Sequence, residues 1–288
     1  MADDEYKLKP VELPDDDEEF YARDFFAYGI FKRGQLAYSK ISDCVESVAP
    51  DEIHRKMHIR DGMPLVLGED DDFTTKGDKI HFGENAKCAY KRISDTQPAN
   101  IYKWDTVEID EETFNILITD NINGTFEHVD NEGDYLNDFD GHEDPFFSQV
   151  PVFIEEELEK IVEDENFIFK IQMYYMLLWS AIERYCKLKY DVSNVEGDYL
   201  KELSNDEVFI NAFESVNPNG RGPIYAAKNA SPFYYNKSRP NYIINYYYTI
   251  RCNVAHRGKE PENSTDKLIS SLKDLLKIFK KMIDDTFI

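Results

Sequence analysis

Between Glu155 and Tyr190 the apolar side chains Phe167, Ile168, Ile171, Tyr174, Tyr175, Leu178, Ile182, Tyr185 and Cys186 recur at steps of three and four. A helix turns about 100° per residue, so this spacing lines them along one face of a single long helix. An apolar face that wide must be buried against other helices. Two further stretches supply them. Asn241 to His256 reads as a second long helix closed by Gly258, with Pro261 beyond it as a stop. Ser264 or Thr265 caps a last helix whose stripe is Leu268, Leu272, Leu275, Ile278 or Phe279, and Met282. Pro218-Asn-Gly-Arg-Gly-Pro is turn chemistry. The expectation for residues 151–288 is an all-α bundle.

The first half has a different period. Residues 1–19 are acidic, carry Pro10 and Pro14 and have few apolar anchors, which reads as a solvated, flexible arm. Asp24-Phe-Phe-Ala-Tyr-Gly-Ile-Phe has strand composition, and the basic turn Lys32-Arg33-Gly34 then leads into a helix-like stretch ending near Val48. Further strands are expected at 56–59, 64–67, 79–82 and 102–109. Together these predict an α+β protein, with a mixed α/β, barrel-like domain over 20–120 and an acidic linker over 121–150.

Charge divides the chain at the same place. The net charge is −24, but residues 1–150 hold 15 basic against 36 acidic residues and the remainder 18 against 21. From Trp104 to Glu159 there is no lysine or arginine. Calcium is the tempting reading of that run, yet placing Gly141 or Gly133 at the EF-hand glycine puts Leu136 or His128 in the first ligand slot. A solvated linker fits better, with the shielding of a basic site when nothing is bound as a second reading, and no metal or cofactor is expected. Between Glu214 and Glu260, by contrast, there is no acidic residue, while Arg221, Lys228, Lys237, Arg239, Arg251, Arg257 and Lys259 interleave with Tyr225, Phe233, Tyr234, Tyr235 and Tyr242. Phosphate neutralisation combined with stacking of unpaired bases on rings is how single-stranded nucleic acid is bound. Arg221, Lys237, Arg239, Arg257, Lys259, Tyr235 and Tyr242 are therefore the candidate RNA contacts. For Tyr246 to Tyr248 a structural role is expected. Cys44, Cys88, Cys186 and Cys252 form no close pair in sequence, and the start has neither the basic flank nor the apolar run of a signal peptide. A reduced, cytoplasmic setting without membrane attachment follows, the most apolar segment being too short to span a bilayer.

Inside the acid-free stretch lie Arg251, Asn253 and His256. On a helix Asn253 and His256 are near neighbours, whereas Arg251 sits about 140° from His256. Arginine, four to six residues, then histidine near a helix end resembles the hallmark of HEPN domains, the higher-eukaryote and prokaryote nucleotide-binding helical family. Arg251-Cys-Asn-Val-Ala-His-Arg-Gly-Lys matches with four intervening residues, and Trp179-Ser-Ala-Ile-Glu-Arg-Tyr is similar to the family's earlier long helix. Cys252 departs from the polar residue commoner after the arginine. The resemblance implies a metal-independent endoribonuclease of toxin or defence type that acts as a homodimer with a composite cleft. His256 would move protons between the 2'-OH and the leaving 5'-oxygen, Arg251 would stabilise the phosphorane-like transition state, and Asn253 would orient the histidine or bind a phosphate oxygen. Glu183 would support either Arg251 or His256, or be an ordinary solvated glutamate. The competing readings are a helix-end cluster complementing carbonyls, and a dimeric scaffold that binds RNA without cutting it.

Residues 24–120 resemble the gamma-glutamylcyclotransferase-like fold through Phe26-Ala-Tyr-Gly-Ile-Phe-Lys-Arg-Gly, Asp61-Gly-Met-Pro-Leu-Val-Leu, Lys76-Gly-Asp-Lys-Ile and Ala89-Tyr-Lys-Arg-Ile-Ser-Asp-Thr-Gln followed by Ile101-Tyr-Lys-Trp. That resemblance implies a small-molecule pocket at Tyr28, Gly29, Ile30, Phe31 and Gln97. Ile30 and Phe31 replace the family's hydroxyl residue and leucine, and Gln97 stands where it carries a catalytic glutamate. A neutral amide cannot act as a general base. An alignment displaced by two positions nominates Asp95 instead. The domain is expected to sense or restrain rather than catalyse cyclotransfer.

Overall fold

The computed structural model describes residues 9–15, 17–60, 62–69, 72–120, 136–190, 198–218, 222–225, 232–236, 238–257 and 265–287, the side chains at 69, 136, 137, 198, 233, 256 and 257 excepted. The chain divides into two compact units, Met1–Asp144 with Leu188–Asn194 and Phe287–Ile288, and Pro145–Lys187 with Val195–Thr286.

In the first unit α1 (Glu18–Ala22) begins where the Asp17 carboxylate accepts from Phe20 N at 3.1 Å. There follow β1 (Asp24–Ala27), β2 (Ser47–Ile53), β3 (Arg55–Arg60), β4 (Met63–Glu69), β5 (Thr74–His81), α2 (Ala86–Thr96), β6 (Lys103–Ile109), β7 (Glu112–Ile118) and the two-residue β8 (Leu136–Asn137). The main sheet runs β2-β5-β1-β7-β6, with β8 beside β5, and β3 and β4 form a separate hairpin. Around Tyr90 of α2 gather Phe20, Phe82 and Trp104, with ring centroids 4.9, 5.5 and 5.5 Å away. Gly29 permits a close approach, since a Cβ there would lie 2.6 Å from Pro64 Cγ. Val11, within the acidic N-terminal stretch, is buried, and its amide donates to Gln97 O at 2.9 Å.

This sheet corrects the barrel expectation. It is an open path ending at β2 and β6, and closure would require those two strands to pair. Pro50 explains why β2 is an edge: proline has no ladder donor, and six of the seven β2 residues are exposed or half-buried. The helix-like stretch before Val48 is also corrected. Only single 3₁₀ turns form, at Tyr38–Lys40 and Ser42–Cys44, before Ser47 pairs with His81 of β5.

The second unit comprises α3 (Pro145–Lys160), α4 (Phe167–Lys189), α5 (Asp198–Asn205), α6 (Glu207–Val216), β9 (Ile224–Tyr225), β10 (Pro232–Phe233), α7 (Pro240–Arg257) and α8 (Thr265–Thr286). Among the described residues its regular structure is helical apart from the β9–β10 ladder. The long helix expected from Glu155 to Tyr190 is two helices. Between them Asp164 turns the chain by accepting from Asn166 N at 2.9 Å, and its carbonyl accepts from Phe167 N at 3.0 Å. Within α4 Ile171, Tyr175, Leu178, Ile182 and Tyr185 are buried, as is the whole α8 stripe from Leu268 to Met282. Full burial of each such side chain contributes roughly 1.5–3 kcal/mol. The hydroxyl of Tyr175 donates to Tyr247 O at 3.0 Å, so this large ring enters the core with its polar end satisfied.

Candidate nucleic-acid interface

Helix α7 carries the candidate site and part of the core together. Ile243, Ile244, Tyr246, Tyr247 and Ile250 are buried, so the tyrosine run serves packing at its first two positions, while Tyr248 is half-buried. Arg251 lies on the flank of that buried face. Its Nη2 donates to Glu183 Oε1 of α4 at 3.2 Å, and the Tyr199 hydroxyl of α5 donates to the same oxygen at 3.1 Å. The guanidinium carbon stands 5.8 Å from the Tyr248 ring centroid, and Tyr248 in turn rests 5.6 Å from Trp179. One carboxylate therefore joins three helices. Burial works against the charged guanidinium, but Glu183 and the neighbouring Tyr248 outweigh it and hold the Arg251 pKa above its ordinary value. Burial likewise pushes the Tyr199 phenol up. Nε of Arg251 is buried without a partner, and Nη2–Glu183 is the hydrogen bond it makes among the described residues.

Asn253 has a different task. Its Nδ2 donates to Tyr225 O at 2.9 Å, while the Tyr246 hydroxyl donates to Gly222 O at 3.2 Å and Lys267 Nζ to Pro223 O at 3.1 Å. These three side chains fasten the 222–225 segment. The backbone of α7 extends through His256 and Arg257, which sets His256 about 140° around the helix from Arg251. The side chains of His256 and Arg257 lie outside the described residues, as do Arg221, Lys237 and Lys259.

The remaining candidates separate into two groups. Tyr235 is packed, its ring 5.4 Å from Tyr246 and 6.4 Å from Phe213. Arg239 and Tyr242 instead form an exposed cation–π pair at the start of α7, 5.4 Å apart. Nine residues of helix set Tyr242 about 13 Å along the axis from Arg251. Tyr199 was missed in the sequence because it lies on a separate helix, and no local spacing pointed to it.

In the first unit Tyr28, Ile30, Phe31 and Gln97 are buried. The Tyr28 hydroxyl donates to Leu117 O at 2.6 Å and Gln97 ends α2. A cleft of about 610 Å³ lies elsewhere, between Val11, Asp17, Arg23, Lys103, Trp104 and Asn115, and does not include these expected pocket residues. Asp95 is bonded to Lys91 on the outside of α2. Among the described residues there is no group of three or more His, Cys, Asp or Glu side chains suited to a metal ion, and no helix long and apolar enough to cross a membrane. Comparison with family models, with curated proteins and with solved structures returns no match.

Proposed function

We propose that the second unit is a metal-independent endoribonuclease of HEPN type, working in the cytoplasm as a homodimer, with the first unit regulating it in a toxin or defence role. The supporting observation is the setting of Arg251. A permanently charged guanidinium is held in place by Glu183 and backed by Tyr248, with no further hydrogen bond among the described residues, within a stretch free of acidic residues. Such a fork of donors suits a phosphoryl oxygen that gains charge in the transition state. His256 would either take the 2'-OH proton as the 2'-oxygen attacks phosphorus or give a proton to the leaving 5'-oxygen as the P–O5' bond breaks, with water completing the other transfer, giving cyclic phosphate and 5'-hydroxyl ends. The exposed Arg239–Tyr242 pair offers charge and a ring to the flanking RNA. A second copy would find an apolar surface, since Phe169 and Met173, four residues apart on α4, are 61% and 53% exposed.

A second reading, RNA binding without cleavage, has its own support, because Glu183 already neutralises Arg251. Incubation of the purified chain with mixed RNA in the presence of chelator, followed by mapping of the ends, separates the two. Cyclic phosphate ends that vanish in His256→Ala are expected. RNA bound but intact after prolonged incubation favours the second reading, and unchanged cleavage by His256→Ala would sink the assignment.

A further inference from the structure

Residues 40–44 and one face of α2 run side by side in opposite directions. Thr96, Arg92 and Cys88 are spaced by four, so they stand above one another on that face. At the first level Lys40 Nζ donates to Thr96 Oγ1 at 2.8 Å. One turn back, Arg92 Nη1 donates to Lys40 O at 2.8 Å and to the Asp43 carboxylate. The next turn back is Cys88, and the next residue of the segment is Cys44. Two thiols separated by 44 positions in sequence are thereby brought beside each other, one buried and the other exposed. Neither belongs to the RNA site, and the unit that holds them is distinct from the one that carries Arg251.

We propose that Cys44 and Cys88 are a reversible redox pair, joined as a disulfide when a peroxide oxidises the exposed Cys88. In the first step Cys88 Sγ attacks a peroxide oxygen and the O–O bond breaks. With hydrogen peroxide this gives the sulfenic acid and one water. In the second, Cys44 Sγ attacks Cys88 Sγ, the S–O bond breaks, and a second water leaves. The two thiols lose two hydrogens and two electrons in total, and the peroxide is reduced to water. A dithiol reverses the bond by exchange. Burial, and next the neighbouring Cys88 thiol, push the Cys44 thiol up to about 11. The second step is therefore slow near neutrality and quickens as pH rises, because the thiolate is the attacking species. Once formed, the bond staples α2 to the chain entering the edge strand β2, in which one residue of seven is buried.

The test uses the full chain, treated with hydrogen peroxide, quenched with catalase, alkylated after unfolding, digested without reductant and read by mass spectrometry. The expected product is a cross-linked peptide pair containing Cys44 and Cys88, lost on treatment with dithiothreitol and formed faster at higher pH. In Cys44→Ser the sulfenic acid on Cys88 should persist long enough to be trapped by dimedone. The variant Cys88→Ser changes an exposed position, and in it Cys44 should stay alkylatable. Three results overturn the proposal: Cys88 driven to sulfinic acid while Cys44 remains free, Cys88 joined to Cys186 or Cys252 instead, or both thiols left free under peroxide that oxidises an exposed cysteine peptide.

Discussion

Arg251 and Glu183 sit 68 residues apart in sequence, yet their side chains are only 19% and 24% exposed and share one bond. Removing the carboxylate leaves a guanidinium in a half-desolvated place, so Glu183→Ala should lower stability by about 1–2 kcal/mol. Tyr199→Phe removes a hydrogen bond to the same charged oxygen and should cost about 0.5–1.5 kcal/mol. Denaturant midpoints measure both, and no loss in Tyr199→Phe would show that the tyrosine does not steady Glu183. The shape-preserving Glu183→Gln tests the electrostatics separately. If Glu183 competes with phosphate for Arg251, this variant should bind RNA more tightly, with a salt dependence steeper by about one phosphate contact. Equal affinity at every salt concentration would place Arg251 outside the bound path. The sequence identified Arg251 as a candidate through its spacing to His256. What it could not reveal is that Asn253 anchors Tyr225, because the partner is a backbone carbonyl in another segment.

At the scale of elements, β6 and β7 are joined by two residues, Asp110 and Glu111, both with positive φ (53° and 69°). That is the backbone of a type I′ hairpin turn, which suits the twist of the strands but penalises residues with a Cβ. Glu111→Gly should therefore stabilise the first unit by about 0.5–1 kcal/mol, read as a shift in the midpoint of thermal or chemical unfolding. A destabilised variant would mean that Glu111 makes a contribution outweighing the turn. Asp-Glu is not an evident hairpin signal, which is why β7 was not anticipated although β3, β4, β5 and β6 were. The break between α3 and α4 escaped notice for a related reason. The apolar period continues on both sides of residues 161–166, and the backbone is diverted there by local hydrogen bonds to Asp164, whose carboxylate accepts from Asn166 N and whose carbonyl accepts from Phe167 N.

Over the whole molecule, aromatic side chains supply most of the largest fully buried residues of both cores, and burial sets the phenols of Tyr28, Tyr90, Tyr102, Tyr185 and Tyr199 above their ordinary value. Above about pH 10 the unfolded chain releases protons that the folded chain retains. Folding stability should then fall as pH rises, by up to about 1.4 kcal/mol per pH unit for each such tyrosine. Denaturant midpoints that stay flat between about pH 9 and 11 would contradict their burial. By itself the sequence determined the helical character of α4, α7 and α8, where most strands of the first unit lie, and where the acid-free stretch falls, because hydrophobic period and charge are local properties of a chain. Tertiary structure alone decided that the main sheet stays open at β2 and β6, that Glu183 and Tyr199 meet Arg251, and that Cys44 comes to rest beside Cys88. Each of those outcomes depends on which distant edges and faces pack together, and packing is a competition among non-local contacts that no single stretch encodes.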